Sequence, residues 1–291
     1  MLDLELNREG PPARDASTLV VARDASGGGI EVFCVERQKV GFLGGAVVFP
    51  GGKLDASDLD PEWERCSTPP RATPTPIAAD ATALRGLAIA ACREALEEAA
   101  ILPIAGATAT HAELLEWRTR LASGAETLRP LLAARGLRLD LASLHAFARW
   151  VTPVAESRRF DTRFFLFASD GAVTGAHDDH ETTASFWATP SDVLARHASR
   201  ALVLAPPTHR TLQVLAGARD TADAIAIAAA SCLEPICPRV VTQHDADGDT
   251  IAIVLPGDPE HDVRTPRVPG PSRYVLRGGR FWPENPPACR V

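Results

Sequence analysis

Glu94, Glu97 and Glu98 are three carboxylates whose spacing brings them together on a helix. At i, i+3 and i+4 they project from neighbouring points of one face. Like charges so placed weaken a helix by about 0.2–0.5 kcal/mol per pair. They also fall near the helix's C-terminal end, where the macrodipole already disfavours negative charge. Two local rules are broken together, and such conflicts mark sites where something else offsets the cost. A hard dication does so, since Mg²⁺ and Mn²⁺ prefer carboxylate oxygens. Arg93 can pair with Glu97 at i+4 and hold it in position. The alternative is a solvated acidic helix face, and the rest of the chain decides between the two.

The helix that would position these groups is expected over about 80–100. It is dense in Ala and Leu and contains no proline. Leu84, Leu87, Ala88, Ala91, Ala95 and Ala99 recur at helical spacing and form its predicted buried face. Upstream, 17–23 and 30–37 read as two strands of a hairpin around the turn-rich segment 24–29. A third apolar run, 46–49, is stopped by Pro50-Gly51-Gly52. Residues 59–80, rich in Pro, Thr and Asp, read as an irregular loop. A helical stretch follows at 111–135, broken near Ser123-Gly124, and then strands at 144–151 and 160–168. Pro190 opens a helix with Thr189 as its N-cap, and further helices are expected at 207–217 and 220–231. After Pro235 the chain is proline-rich, with strand candidates at 251–254 and 274–276. Strands interleaved with helices predict an α/β sandwich.

In this context the sequence resembles the Nudix hydrolases. Their box begins with a glycine and a glutamate and ends R-E-U-x-E-E-x-G-U, U being bulky and apolar. Gly52, Arg93, Glu94, Glu97, Glu98 and Ile101 match. Asp58 stands at the first glutamate, Ala95 at the first bulky position and Ala100 at the second glycine. The interval from Gly52 to Arg93 is stretched, and the excess falls in the proline-rich loop, where long insertions are cheap. Phe49-Pro50-Gly51-Gly52 before the box is typical of the family. The resemblance extends over roughly 15–215 and is closest to coenzyme A diphosphatases with an interrupted box. Further landmarks of that subgroup are Arg159-Phe160-Asp161-Thr162-Arg163, Trp187 with Thr189-Pro190, and Pro206-Pro207-Thr208.

The resemblance implies a Nudix α/β/α sandwich with a mixed sheet, an insertion inside the box and a C-terminal extension. The Nudix domain is expected over 1–234, with the box insertion at about 59–80 and an extra helical segment at about 106–140. The extension, 235–291, packs on it. The implied reaction is metal-dependent hydrolysis of a diphosphate linkage in coenzyme A or acyl-coenzyme A. The expected products are adenosine 3′,5′-bisphosphate and (acyl-)phosphopantetheine. Mg²⁺ or Mn²⁺ would be held by Glu94, Glu97 and Glu98, with a backbone carbonyl from Gly52 or Gly51. The general base is Glu94 or a loop carboxylate, for which Glu181 in His177-Asp178-Asp179-His180-Glu181 is the candidate. Arg93 orients a glutamate. Arg37, Gly51 and Asp58 are assigned to the substrate side, Arg37 as the arginine of a coenzyme A signature whose second arginine is replaced by Gly41. Arg158, Arg159 and Arg163 are alternative anion contacts, with a surface role the favoured reading for each, and Trp63 is expected to anchor the insertion. Two alternatives stay open: a broad hydrolase of nucleotide sugars or dinucleotides, and a catalytically silent binding module. Loss of the helix carboxylates would mark the latter, and all three are present.

Composition narrows the partners. With 45% hydrophobic and 23% charged residues, the 291-residue chain has an ordinary globular balance. A net charge of −7 excludes a generic nucleic-acid-binding surface and suits a small nucleotide substrate met through a cation. No apolar run approaches the ~18 residues of a membrane span, so no membrane partner is expected. The acidic N-terminus is no signal peptide, and Cys289-Arg290-Val291 is no peroxisomal address. Six scattered cysteines without a C-x-x-C pair fit reduced thiols. A cytoplasmic enzyme is therefore expected, and a homodimer is compatible with the sequence.

Overall fold

Strand β1 (Arg14–Asp24) organises the molecule because its side chains alternate between two cores. Leu19 and Val21 enter one, and Val20 and Ala22 enter the other. The computed structural model describes residues 10–38, 44–106, 108–124, 126–171, 173–178, 181–245 and 248–286. β2 (Ile30–Arg37) returns antiparallel to β1 across the expected turn. β3 (Ala46–Val48) pairs with β2, and β4 (Gly51–Lys53) pairs with the first part of β1.

The insertion is more ordered than the expected loop. A 3₁₀ turn spans Ala56–Leu59, and a short helix, α1 (Trp63–Cys66), follows. Trp63 is buried and its Nε1 donates to Ser57 O at 2.9 Å, so it anchors the insertion as expected. Ile77 is also buried, and Arg163 Nε donates to its carbonyl at 2.8 Å. Apolar burial and backbone carbonyl capture offset what proline and threonine cannot supply by propensity.

The box helix, α2 (Ala81–Ala99), starts at Asp80, whose side chain accepts from Ala83 N–H at 2.8 Å. Leu87, Ala88, Ala91, Ala95 and Ala99 are buried as expected, whereas Leu84 is only half-buried. α3 (His111–Ala122) and α4 (Leu128–Ala134) form the predicted broken helical stretch and pack on the same side. β5 (Leu144–Val151), β6 (Phe160–Ala168) and β7 (Thr182–Ala188) follow. Then come α5 (Pro190–Ala198), capped by Thr189, β8 (Val203–Leu204), α6 (Pro206–Leu215) and α7 (Thr221–Ala230).

The main sheet runs β5-β6-β1-β2-β3-β8, with β4 joined to β1 and β7 to β2. It is mixed: β1–β6 and β3–β8 are parallel, and the other pairs are antiparallel. β1 pairs with β4 at Ala16–Thr18 and with β2 only at Ala22–Asp24, so two neighbours share one edge and the sheet curls. One face packs on α2 and the α3–α4 segment, and the other on α5, α6 and α7. This is the expected α/β/α sandwich.

Beyond it lies a second antiparallel sheet, β12-β11-β10-β9, made by β9 (Arg239–Asp245), β10 (Gly248–Val254), β11 (Arg273–Arg277) and β12 (Arg280–Glu284). Ile253 and Tyr274 join the core on the side away from α2. Asp258 and Arg273, both buried, pair through two hydrogen bonds of 3.0 and 2.7 Å inside this region. The cysteines within the described residues are unpaired, as expected of reduced thiols; Cys289 lies outside them. Among the described residues no helix is long and apolar enough to cross a membrane.

Candidate active site

Arg93 ties the helix to the glycine strand. Its Nε and Nη2 each lie 3.0 Å from an oxygen of Asp58, a bidentate pair. Nη2 also donates to Lys53 O at 2.9 Å, on β4. Nη1 donates to Glu94 Oε1 at 2.7 Å and lies 3.6 Å from Glu97 Oε1, the i+4 partner expected from sequence. Asp58 is 2% exposed, and its Oδ2 also accepts the N–H of Asp55. Both of its oxygens therefore face protein donors. That geometry departs from the substrate contact expected of Asp58, because the side chain is buried beneath the insertion's 3₁₀ turn.

Glu98 is 3% exposed and accepts the Gly51 N–H at 3.0 Å. Burial pushes its pKa up to about 8, against the lowering effect of that bond. Burial likewise pushes Glu94 up to about 7, although Arg93 pulls it down. Glu97 is raised by the same cause. Gly52 supplies the room: a Cβ there would lie 2.4 Å from the Glu94 carboxylate. β4 can sit this close to α2 only without a side chain at that position.

Arg37, at the end of β2, has Nη1 4.0 Å from Glu98 Oε1 and Nη2 3.8 Å from Glu181 Oε2. The structure thus brings Glu181 from its loop to the same cluster as the helix glutamates. Asp178 shapes that loop, accepting from Glu181 N–H at 3.0 Å and Thr182 N–H at 2.9 Å. From sequence, Asp178 stands out only as part of the polar segment around Glu181, although an Asp four residues before the start of a strand is a turn signal. Asp179, His180 and Gly41 lie outside the described residues. Arg163 is buried against Ile77 O, Asp15 and Asp161, and Arg159 donates to Thr152 O and Pro11 O. Both are tied to the scaffold, and Arg163 is buried, where a surface role is the favoured expectation from sequence.

Among the described residues, no three His, Cys, Asp or Glu side chains form a closed metal cage in this arrangement. Glu94 and Glu97 turn toward Arg93 instead. The donor set nevertheless fits a hard dication. Three carboxylates, Glu98 buried and Glu94 and Glu97 half-buried, all shifted toward neutrality, are what a cation at this place would relieve.

The chain matches the NUDT19 Nudix domain over residues 75–215. It is 29% identical over 272 residues to the acyl-coenzyme A diphosphatase NUDT19 of Gallus gallus, covering 78% of this chain and 71% of that protein. To the Homo sapiens acyl-coenzyme A diphosphatase NUDT19 it is 27% identical over 260 residues, covering 75% and 68% respectively. A solved NUDIX hydrolase from Alicyclobacillus acidocaldarius is similar at a TM-score of 0.60 and 32% identity, over 74% of this chain and 96% of that one. Members of this family are typically dependent on a divalent metal. The mixed sheet, the glutamate-bearing helix and these matches together place the chain in the Nudix hydrolase family.

Proposed function

We propose that this chain hydrolyses the diphosphate bond of coenzyme A or acyl-coenzyme A, using Mg²⁺ or Mn²⁺. The observation that carries this reading is the gathering of Glu94, Glu98, Arg37 and Glu181 beside the glycine strand, in a chain similar to acyl-coenzyme A diphosphatases. Glu94, Glu97 and Glu98 would hold the cation, with backbone oxygen from Gly51-Gly52. When bound, the cation offsets the diphosphate's negative charge and acidifies water.

The chain's own residues do the rest. Arg93, fixed by Asp58, keeps Glu94 beside Gly52, so Asp58 and Arg93 are positioning residues. Arg37 meets a phosphate oxygen, since its guanidinium is the one cation between Glu98 and Glu181 that the described geometry leaves without a close hydrogen bond. Glu181 is the general base. Its side chain is 67% exposed, whereas Glu94 is engaged by Arg93 at 2.7 Å. Water attacks phosphorus, its proton passes to Glu181, and the bridging P–O bond breaks with its electron pair leaving on the departing phosphate.

The test is a panel of coenzyme A, an acyl-coenzyme A, a nucleotide sugar and a dinucleotide, each with Mg²⁺ and with Mn²⁺. The coenzyme A species are expected to give the highest kcat/KM. A higher value for the sugar or dinucleotide would move the assignment to a broad nucleoside diphosphate hydrolase, and no turnover of any substrate would favour a silent module.

A further inference from the structure

Arg118 lies on α3, in the helical segment between the box helix and β5. Its Nη1 donates to two successive backbone carbonyls, Ala176 O and His177 O, each at 2.8 Å. Those carbonyls begin the turn that leads to Glu181. Other bonds hold the same backbone. Ala176 N–H donates to Ala99 O at 2.7 Å, on the last residue of α2. His177 N–H donates to Ser185 Oγ at 3.1 Å, and Trp187 Nε1 to Thr174 O at 2.8 Å. Gly175 turns the chain at φ +70°, where a Cβ would lie 2.4 Å from the Phe33 ring. Past the turn, Glu181 O accepts the Gln38 N–H at 3.0 Å. The backbone is anchored on both sides while the Glu181 carboxylate keeps 67% exposure. That is the arrangement of a group that must stand in one place and still exchange a proton.

We propose that Arg118 is a positioning residue for the hydrolysis. It couples the α3–α4 segment to the Glu181 loop and so sets where that carboxylate stands relative to Glu94 and Glu98. The inference rests on the reading of Glu181 as general base. Its physical basis is the guanidinium: a charged donor binds carbonyl oxygen more strongly than a neutral one. α3 presents that donor from the same side of the sheet as α2. The α3 helix is rigid at its root, since Leu114 and Trp117 are buried in the core beside α2. Without Arg118 the Ala176 and His177 carbonyls lose their guanidinium donor, and a displacement of about 1 Å at a reacting group can cost about 100-fold in rate.

The experiment is a double-mutant cycle on the full chain with acyl-coenzyme A and saturating Mn²⁺. It compares Arg118→Ala, Arg118→Lys, Glu181→Gln and the Arg118→Ala/Glu181→Gln double variant. Glu181→Gln is expected to lower kcat, and Arg118→Ala to lower it about 10- to 100-fold with KM nearly unchanged. Arg118→Lys should recover part of the loss, having a charged donor without the same reach. The double variant should be no slower than Glu181→Gln alone, because the group being positioned is gone. Mn²⁺ affinity, measured by calorimetry, should match the parent in every variant. Additive losses, weakened Mn²⁺ binding in Arg118→Ala, or an unchanged kcat there while Glu181→Gln is slow would overturn the role of Arg118 and leave Glu181 as base. Parent-like turnover by Glu181→Gln would overturn both. If Arg118→Ala does not fold, Arg118→Gln in both backgrounds gives the same cycle.

Discussion

Glu94, Glu97 and Glu98 occupy one turn of helix, yet their surroundings divide them. Glu94 and Glu97 share Arg93, while Glu98 has the Gly51 N–H and an arginine 4.0 Å away. Glu98 is therefore the carboxylate most in need of a cation. Mg²⁺ or Mn²⁺ is expected to raise the Tm of the parent by mass action. Glu98→Gln should remove most of that gain and slow turnover by roughly 10³-fold, which corresponds to about 4 kcal/mol. Thermal scans with and without metal, beside steady-state rates, check both; a variant of near-parent activity would take Glu98 out of the site. These three residues were legible because their chemistry is written in local spacing. Asp58 was legible as a box position but not as a buried clamp, since only the folded insertion shows that Arg93 takes both its oxygens. Arg118 had no sequence signal, because its partners lie more than fifty positions away in an unrelated loop.

At the scale of elements, the end of α2 shows a local cost retained. Ala100, where the family pattern has glycine, adopts φ 51° and ψ 41°, with its N–H bonded to Leu96 O at 3.0 Å. A side chain in the left-handed region is strained, and glycine is not. Ala100→Gly is thus expected to stabilise the fold by about 0.5–1 kcal/mol, read as a higher urea midpoint at unchanged m-value. A loss of stability would mean that the buried methyl of Ala100 outweighs the strain. Long apolar or alternating runs, such as those of β1, β2, β5 and β6, were legible because burial alone decides them. β4 was not: Gly51-Gly52-Lys53 has no strand propensity and becomes a strand only because β1 offers it an edge. β12 contains Pro283, which argues against a strand in the middle of a sheet and is tolerated here at its edge. The insertion read as a loop because its order comes from Trp63 and Ile77 docking in the core. Replacing it by a flexible linker would accordingly empty that part of the core rather than merely uncover a substrate.

At the scale of the molecule, the second sheet is joined to the sandwich through a buried histidine. His209 on α6 has Nδ1 3.0 Å from the Tyr274 hydroxyl on β11, and its ring lies 5.3 Å from that of His197. Burial, helped by His197 and Arg210, pushes the His209 pKa down to about 4. The unfolded chain, with a histidine pKa of about 6.5, therefore binds this proton first. The stability is fully present above about pH 6.5 and is lost as pH falls toward 4, by an amount on the order of 3 kcal/mol. His197, lowered by burial in the same way, acts in the same direction. Urea unfolding at about pH 7 and about pH 4.5 should show this loss, and His209→Gln should reduce it; an equal loss in that variant would place the acid sensitivity elsewhere. The sandwich, the box helix and the loop of Glu181 converge on one claim, that this centre cuts a diphosphate bond in acyl-coenzyme A. Mass spectrometry of the products from the parent and from Glu98→Gln tests that claim most directly. The parent should release adenosine 3′,5′-bisphosphate and acyl-phosphopantetheine in equal amounts, and Glu98→Gln should release almost none over the same time. Intact acyl-coenzyme A in the parent reaction, free fatty acid from thioester cleavage, or equal product from the variant would contradict it.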